Sequence, residues 1–160
     1  MGPPELLATF AAAMTPVGEL RLAIPLAIYT FETPWYIALP VAVAGNMAPV
    51  LALVPGLRRL SGFLQSFPNP AGGLLTWQSA RLQRTQARRF QTYGDVALVL
   101  LVAIPLPMTG AWTGSLAAWV FDIPARRAIP LIGLGVVIAG AIVTALTLSG
   151  IKLGGLIRTS

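Results

Sequence analysis

Four apolar runs divide the chain, at 4–31, 34–54, 96–121 and 128 to about 153. A polar, arginine-rich stretch at 55–93 separates the second run from the third. Runs two and four read as ordinary transmembrane helices. Each offers about 20 apolar residues, enough for a helix to cross a hydrocarbon core of roughly 30 Å. Run two carries the polar Asn46 near its middle, and run four carries Gly133, Gly135, Ala139 and Gly140, which permit close helix contact.

Runs one and three break in the middle. Run one contains Thr15-Pro16-Val17-Gly18-Glu19-Leu20-Arg21, and run three contains Pro105-Leu106-Pro107-Met108-Thr109-Gly110. Proline and glycine clusters of this kind interrupt a helix. Each arm beside a break is only about 11 residues, or about 16 Å, roughly half the hydrocarbon thickness. Half-length arms predict a re-entrant hairpin that turns near the midplane, with Pro16, Gly18, Pro25, Pro105 and Pro107 shaping the turns. The alternative is one long kinked helix per run, which sets Glu19 and Arg21 near the bilayer centre at about 2.5–3.5 kcal/mol each. Broken backbone at that depth is tolerated only inside protein or beside water, so either geometry points to a polar site.

The two halves match at an offset of about 90 residues. Phe31-Glu32-Thr33-Pro34 aligns with Phe121-Asp122-Ile123-Pro124, Pro40 with Pro130, and Gly45 with Gly135. Each half then reads as one hairpin followed by one crossing helix. A hairpin makes no net crossing, so the second half enters from the opposite face and the repeats are inverted. This topology gathers Arg58, Arg59, Arg81, Arg84, Arg88, Arg89, Arg126 and Arg127 on one face, which the positive-inside rule makes cytoplasmic. Lys152 and Arg158 fall outside, against the trend. The expected fold class is an all-α integral membrane protein of two inverted repeats, each a re-entrant helical hairpin followed by one transmembrane helix. Repeat one covers 4–54, a basic cytoplasmic linker 55–94 and repeat two 95–153. The segment 74–93 is expected to be a helix, serving either as a plain cytoplasmic loop or as a surface for anionic headgroups.

Composition agrees with a membrane setting. The 160 residues are 56% hydrophobic and 10% charged, too few charges to coat a soluble domain. Mean hydropathy is +0.76. The net charge of +6 reads as the positive-inside signal, and nucleic acid is not an expected partner. No Lys or Arg precedes the first apolar run, so a cleaved secretory signal is not expected. The chain has no Cys and no His, and its only carboxylates are Glu5, Glu19, Glu32, Asp95 and Asp122. Disulfides and zinc-thiolate sites are excluded, and hydrolytic or metal chemistry is disfavoured. No cofactor is expected.

Inverted repeats with broken helices are a recurring transporter design, in which substrate and coupling ion bind near the midplane where half-helix ends converge. Helix N-termini suit an anion. Here they would start near Glu19 and Gly110. Glu19 is the candidate carrier of a coupling proton, and Arg21 the candidate contact for an anionic substrate. These two either act on substrate or pair within the hairpin and hold the fold. They lie two apart, so helical periodicity would not set them face to face. Asn46, Thr109, Gly110, Trp112 and Thr113 complete the candidate site, Thr109 and Thr113 equally as helix caps. Trp35, Tyr36 and Trp119 are expected as interfacial anchors.

The run from Thr15 through Glu19 and Arg21 to Pro25 resembles the first signature of the small multidrug export protein family. The run from Pro105 to Gly114 resembles its second, with Met108 where the family usually has glycine. The resemblance covers most of the chain. That family is distantly similar to the DedA membrane proteins. Those are implied to have two re-entrant hairpins in inverted arrangement and to move polyprenyl phosphate or other lipid carriers on an ion gradient. DedA proteins carry an acid in the first hairpin, which Glu19 matches, and arginines in the second. Here Arg126 and Arg127 lie just beyond the second hairpin, as candidate headgroup contacts.

Together these readings predict a small multi-pass transporter of the inner membrane, proton coupled, moving an amphipathic small molecule or lipid-linked anion. A polyprenyl-phosphate or phospholipid flippase and a non-transporting scaffold or envelope assembly factor are the alternatives. Expected partners are membrane lipids, the substrate and a second copy of the chain, since one unit of this size has little room to enclose a path.

Overall fold

The computed structural model describes residues 2–65, 87–105 and 110–158, and side chains within 2–60, 94–105 and 110–150. All described secondary structure is helical. Helix α1 (Pro3–Met14) opens with prolines in its first turn, where no N–H is missed. The Glu5 carboxylate accepts the Gly2 N–H at 2.7 Å. The helix stops because Pro16 forces Thr15 into an extended conformation, φ −74° and ψ 142°. The Thr15 hydroxyl donates to the Ala12 carbonyl at 2.8 Å and accepts the Gly18 N–H at 3.1 Å, which satisfies the turn locally. A Cβ on Gly18 would sit 2.7 Å from that hydroxyl, so the tight return requires glycine. Helix α2 (Glu19–Pro25) follows, and behind Pro25 the chain widens into a π turn at Leu26–Thr30.

Helix α3 (Trp35–Gln65) and helix α6 (Ala125–Arg158) are the long elements. Within them, Trp35–Leu60 and Ala125–Gly150, 26 residues or about 39 Å each, are long and apolar enough to cross a bilayer, with arginines only near one end. Helices α4 (Ala87–Ala103) and α5 (Ala111–Val120) flank the second break. Both long helices exceed the apolar runs at 34–54 and 128–153, and they continue through internal prolines, α3 through Pro40, Pro49 and Pro55 and α6 through Pro130. The helix expected at 74–93 is described only from Ala87, where it already belongs to α4 and passes through Gly94 and Asp95 into the third run. The rest of that segment lies outside the described residues.

One backbone device closes both α2 with its π turn and α5. Glu32 and Asp122 both take left-handed conformations, φ 50° and 53°. The following N–H then folds back onto the helix, Thr33 to the Ala27 carbonyl and Ile123 to the Ala118 carbonyl, both at 2.8 Å. The carbonyls of Pro34 and Pro124 next receive the first bonds of α3 and α6, from Ile37 and Ala38 and from Arg127 and Ala128.

Helices α3 and α6 run antiparallel. A Cβ on Gly140 would touch Leu39 and Val43, and one on Gly133 would touch Met47. At one end the Arg58 guanidinium reaches the Asp122 carboxylate at 3.0 Å. At the other, the Tyr29 hydroxyl donates to the Thr147 carbonyl at 2.8 Å. Small residues set the close packing: Ala13, Ala23, Ala27, Ala38, Ala42, Ala111, Ala118 and Ala128 are all fully buried. Gly45 lies against the Phe10 carbonyl and Ala13 of α1, and Gly135 against Val102 and the Val99 carbonyl of α4. Trp35, Tyr36 and Trp119 are exposed on the outside of the bundle.

Candidate functional site at the two helix breaks

The two breaks meet. Glu19 opens α2 in a left-handed conformation, φ 45°, and is buried, with 5% of its surface exposed. Its carboxylate lies at the N-terminus of α5, which comes from the other half of the chain, and accepts the backbone N–H of Trp112. The position that a Cβ on Gly110 would take is filled by that carboxylate. A negative charge on free N–H groups at a helix start is favourable, by up to ~2 kcal/mol where partly buried. The Arg21 guanidinium stands 3.6 Å from Glu19 Oε2, with 28% of its side chain exposed.

Helical periodicity predicted that Glu19 and Arg21 would not face each other, and here the structure overturns the sequence. The positive φ of Glu19 takes it off the helical path, so its side chain is not bound by the 100° step that separates positions in a regular helix.

Asn46 of α3 is buried, and its Oδ1 accepts no hydrogen bond from a described residue. It lines a small cavity with Glu19, Arg21, Pro105, Gly110 and Ala111, offering about 10 Å³ of space for the centre of a water molecule. Arg21, Pro105 and Val143 also line a second, open cavity of about 350 Å³, whose other walls are Pro25, Tyr29, Leu146 and Thr147. Arg21 therefore stands between the small cavity beside Glu19 and Asn46 and a larger, more open vestibule.

The other sequence candidates divide by role. The Thr113 hydroxyl accepts the Gly110 N–H at 3.1 Å, a capping contact. The Trp112 indole points away from Glu19 and donates to the Met14 carbonyl at 3.1 Å, tying α5 to the end of α1. Pro16 is exposed at its turn, while Gly18 is buried. Pro25 precedes the π turn and Pro105 lines both cavities. Pro107 and Thr109 lie outside the described residues. Arg126 and Arg127 are exposed in the first turn of α6 and line neither cavity. The backbone N–H of Trp112 and the vestibule residues Tyr29, Leu146 and Thr147 escaped the sequence reading. Thr147 left a faint signal as a hydroxyl in an apolar run, but hydroxyls in membrane helices commonly bond their own backbone, as Thr147 does to Val143.

Fold and site define an all-helical membrane protein whose polar centre is assembled from two interrupted helices. The family model described as "Putative small multi-drug export protein" matches residues 19–142, and the chain belongs to that family of membrane transporters. The match begins at Glu19 and takes in the whole second break. No curated protein and no solved structure matches the chain.

Proposed function

We propose that this protein is a proton-coupled transporter of amphipathic molecules, built from two inverted repeats with re-entrant hairpins. The observation that carries the reading is the Glu19 carboxylate, buried at the N-terminus of α5 beside Arg21, where the two breaks converge between α3 and α6. A buried ionisable group costs several kcal/mol and persists where it can change charge or meet a charged ligand. Glu19 is the proton carrier, and Arg21 meets the anionic or polar end of the substrate at the inner edge of the vestibule.

Inverted topology is supported by the paired left-handed acids, by the antiparallel α3 and α6, and by the equivalent settings of Gly45 and Gly135. Re-entrant hairpins are supported by α1, only 12 residues long, whose Phe10 and Ala13 already stand level with Gly45 in the middle of α3. The Arg58–Asp122 contact supports a shared face for Arg58 near the end of α3 and Arg126 and Arg127 at the start of α6. On this reading the positive-inside rule favours a cytoplasmic setting for that face, with the protein in the inner membrane. A lipid-phosphate flippase is the second reading. The vestibule favours it, with one guanidinium at its inner edge and Pro25, Val143 and Leu146 along its walls.

Two measurements test this. Single cysteines at Gly2, Ser66, Ala125 and Ser160 are labelled on intact cells with an impermeant reagent. Labelling of Gly2 and Ser160 alone supports the topology, and labelling of Ala125 with protection of Gly2 and Ser66 overturns it. In proteoliposomes carrying a pH gradient and an internal pH dye, the probes are ethidium, an anilinonaphthalene sulfonate and a short-chain prenyl phosphate. A probe that drives proton flux through the wild type, but not through well-folded Glu19→Gln or Arg21→Ala protein, supports transport. Full flux through both variants sinks the coupling role, and no flux with any probe favours a scaffold.

A further inference from the structure

Among the described residues, Asn46 is the one buried polar side chain of α3 that lines the Glu19 cavity. Its Oδ1 is buried without a donor among the described residues. An acceptor left unpaired away from water costs about 1–3 kcal/mol. The position 90 residues on, in the second half, is the apolar Val136, so the scaffold itself does not require an amide here. The cavity that Asn46 shares with Glu19 has space for a single water. Arg21 also lines it, and the other walls include Leu20, Val102, Val136, Ala139 and Val143, which offer no polar side chain.

We propose that this cavity is a one-water site held by Asn46, and that Asn46 is a positioning residue for the proton on Glu19. When Glu19 is ionised, the water donates one hydrogen to Asn46 Oδ1 and the other to the carboxylate. When Glu19 is protonated, its hydroxyl donates to the water oxygen, and the water still donates to Asn46. The water therefore keeps a partner in both charge states, and Asn46 accepts in both. A second hydrogen-bond partner for the carboxylate thus lies in the cavity that Glu19 and Arg21 share with Asn46. The proposal rests on reading Glu19 as a proton carrier, but its test does not use transport.

The chain contains only two asparagines, Asn46 and Asn69, and three glutamates, Glu5, Glu19 and Glu32, so labelling these two residue types keeps the spectrum assignable. Full-length protein in lipid bilayers, labelled with ¹³C on Asn and Glu, is measured by solid-state NMR with magnetisation started on water. Asn46→Val and Glu19→Gln assign the signals. The expected result is transfer from water to both Asn46 Cγ and Glu19 Cδ. Ala139→Val, which fills the cavity without altering either polar group, should slow transfer to both by at least about threefold. Asn46→Val should slow transfer to Glu19 Cδ by a similar factor. No transfer to Asn46 in the wild type overturns the proposal, whatever the variants do. Unchanged transfer to Glu19 in Asn46→Val also overturns it, since Glu19 would then be wetted through the vestibule alone. An absence of proton-coupled flux in proteoliposomes would sink the transport reading and leave the NMR result standing, so the two failures are separable.

Discussion

Gly110→Ala is the sharpest perturbation available at the site. A Cβ on Gly110 would occupy the space of the Glu19 carboxylate. The backbone there is extended, φ 164°, so alanine adopts it without backbone strain and the effect is one of space alone. The carboxylate must leave the α5 N-terminus and give up the Trp112 N–H, a charge-assisted bond contributing about 1.5–3 kcal/mol. Forcing a methyl into a packed core costs about 1–3 kcal/mol. The two effects share one movement, so about 2–4 kcal/mol is expected in total. Thermal unfolding in detergent micelles, followed by size-exclusion chromatography, should show a clear fall in midpoint. Proton-coupled flux should fall roughly 10–100-fold, as misplacing a reacting group by about 1 Å does elsewhere. Gly56→Ala is the control, because nothing lies within 4 Å of its Cβ position. Within the last third of α3 it should gain up to about 1 kcal/mol from helix propensity. Gly110→Ala protein as stable and active as Gly56→Ala would refute the placement of Glu19 on α5.

Three further outcomes are expected. Gly45→Ala and Gly135→Ala should each destabilise by about 1–3 kcal/mol in the same unfolding assay, because their Cβ atoms would stand 2.9 Å from Ala13 Cβ and 2.7 Å from Val102 Cβ; a large loss in one and none in the other would break their equivalence. Glu32→Gly should raise the unfolding midpoint by the equivalent of about 0.5–1 kcal/mol, since it relieves a left-handed conformation at an exposed residue; a lower midpoint would show that the carboxylate itself holds the turn. Trp112→Phe should cost about 0.5–1.5 kcal/mol through loss of the 3.1 Å bond to Met14, while leaving the backbone N–H on Glu19 in place; abolished flux in stable protein would instead give the indole a direct part in transport.

Sequence alone was enough for the membrane setting, the family and the places where the helices break. Those properties are local or compositional. An apolar run long enough to span a bilayer is legible by length, and Pro16 ends α1 through its own covalent geometry. The match of Phe31-Glu32-Thr33-Pro34 with Phe121-Asp122-Ile123-Pro124 was likewise readable, and the same turn conformation stands at both places. Only tertiary structure decided what the breaks do. Trp112 and Met14 lie 98 residues apart in the chain yet share a hydrogen bond, and Glu19 is held by a helix from the other half. The pairing of Glu19 with Arg21 contradicts helical spacing and depends on a single positive φ that an L-residue adopts only when its surroundings enforce it. Gly110 and Asn46 show the same limit from two sides. A glycine records that a side chain is missing but not what fills the space, and a buried amide records a polar need but not its partner. Both are answered only when distant helices close on one another.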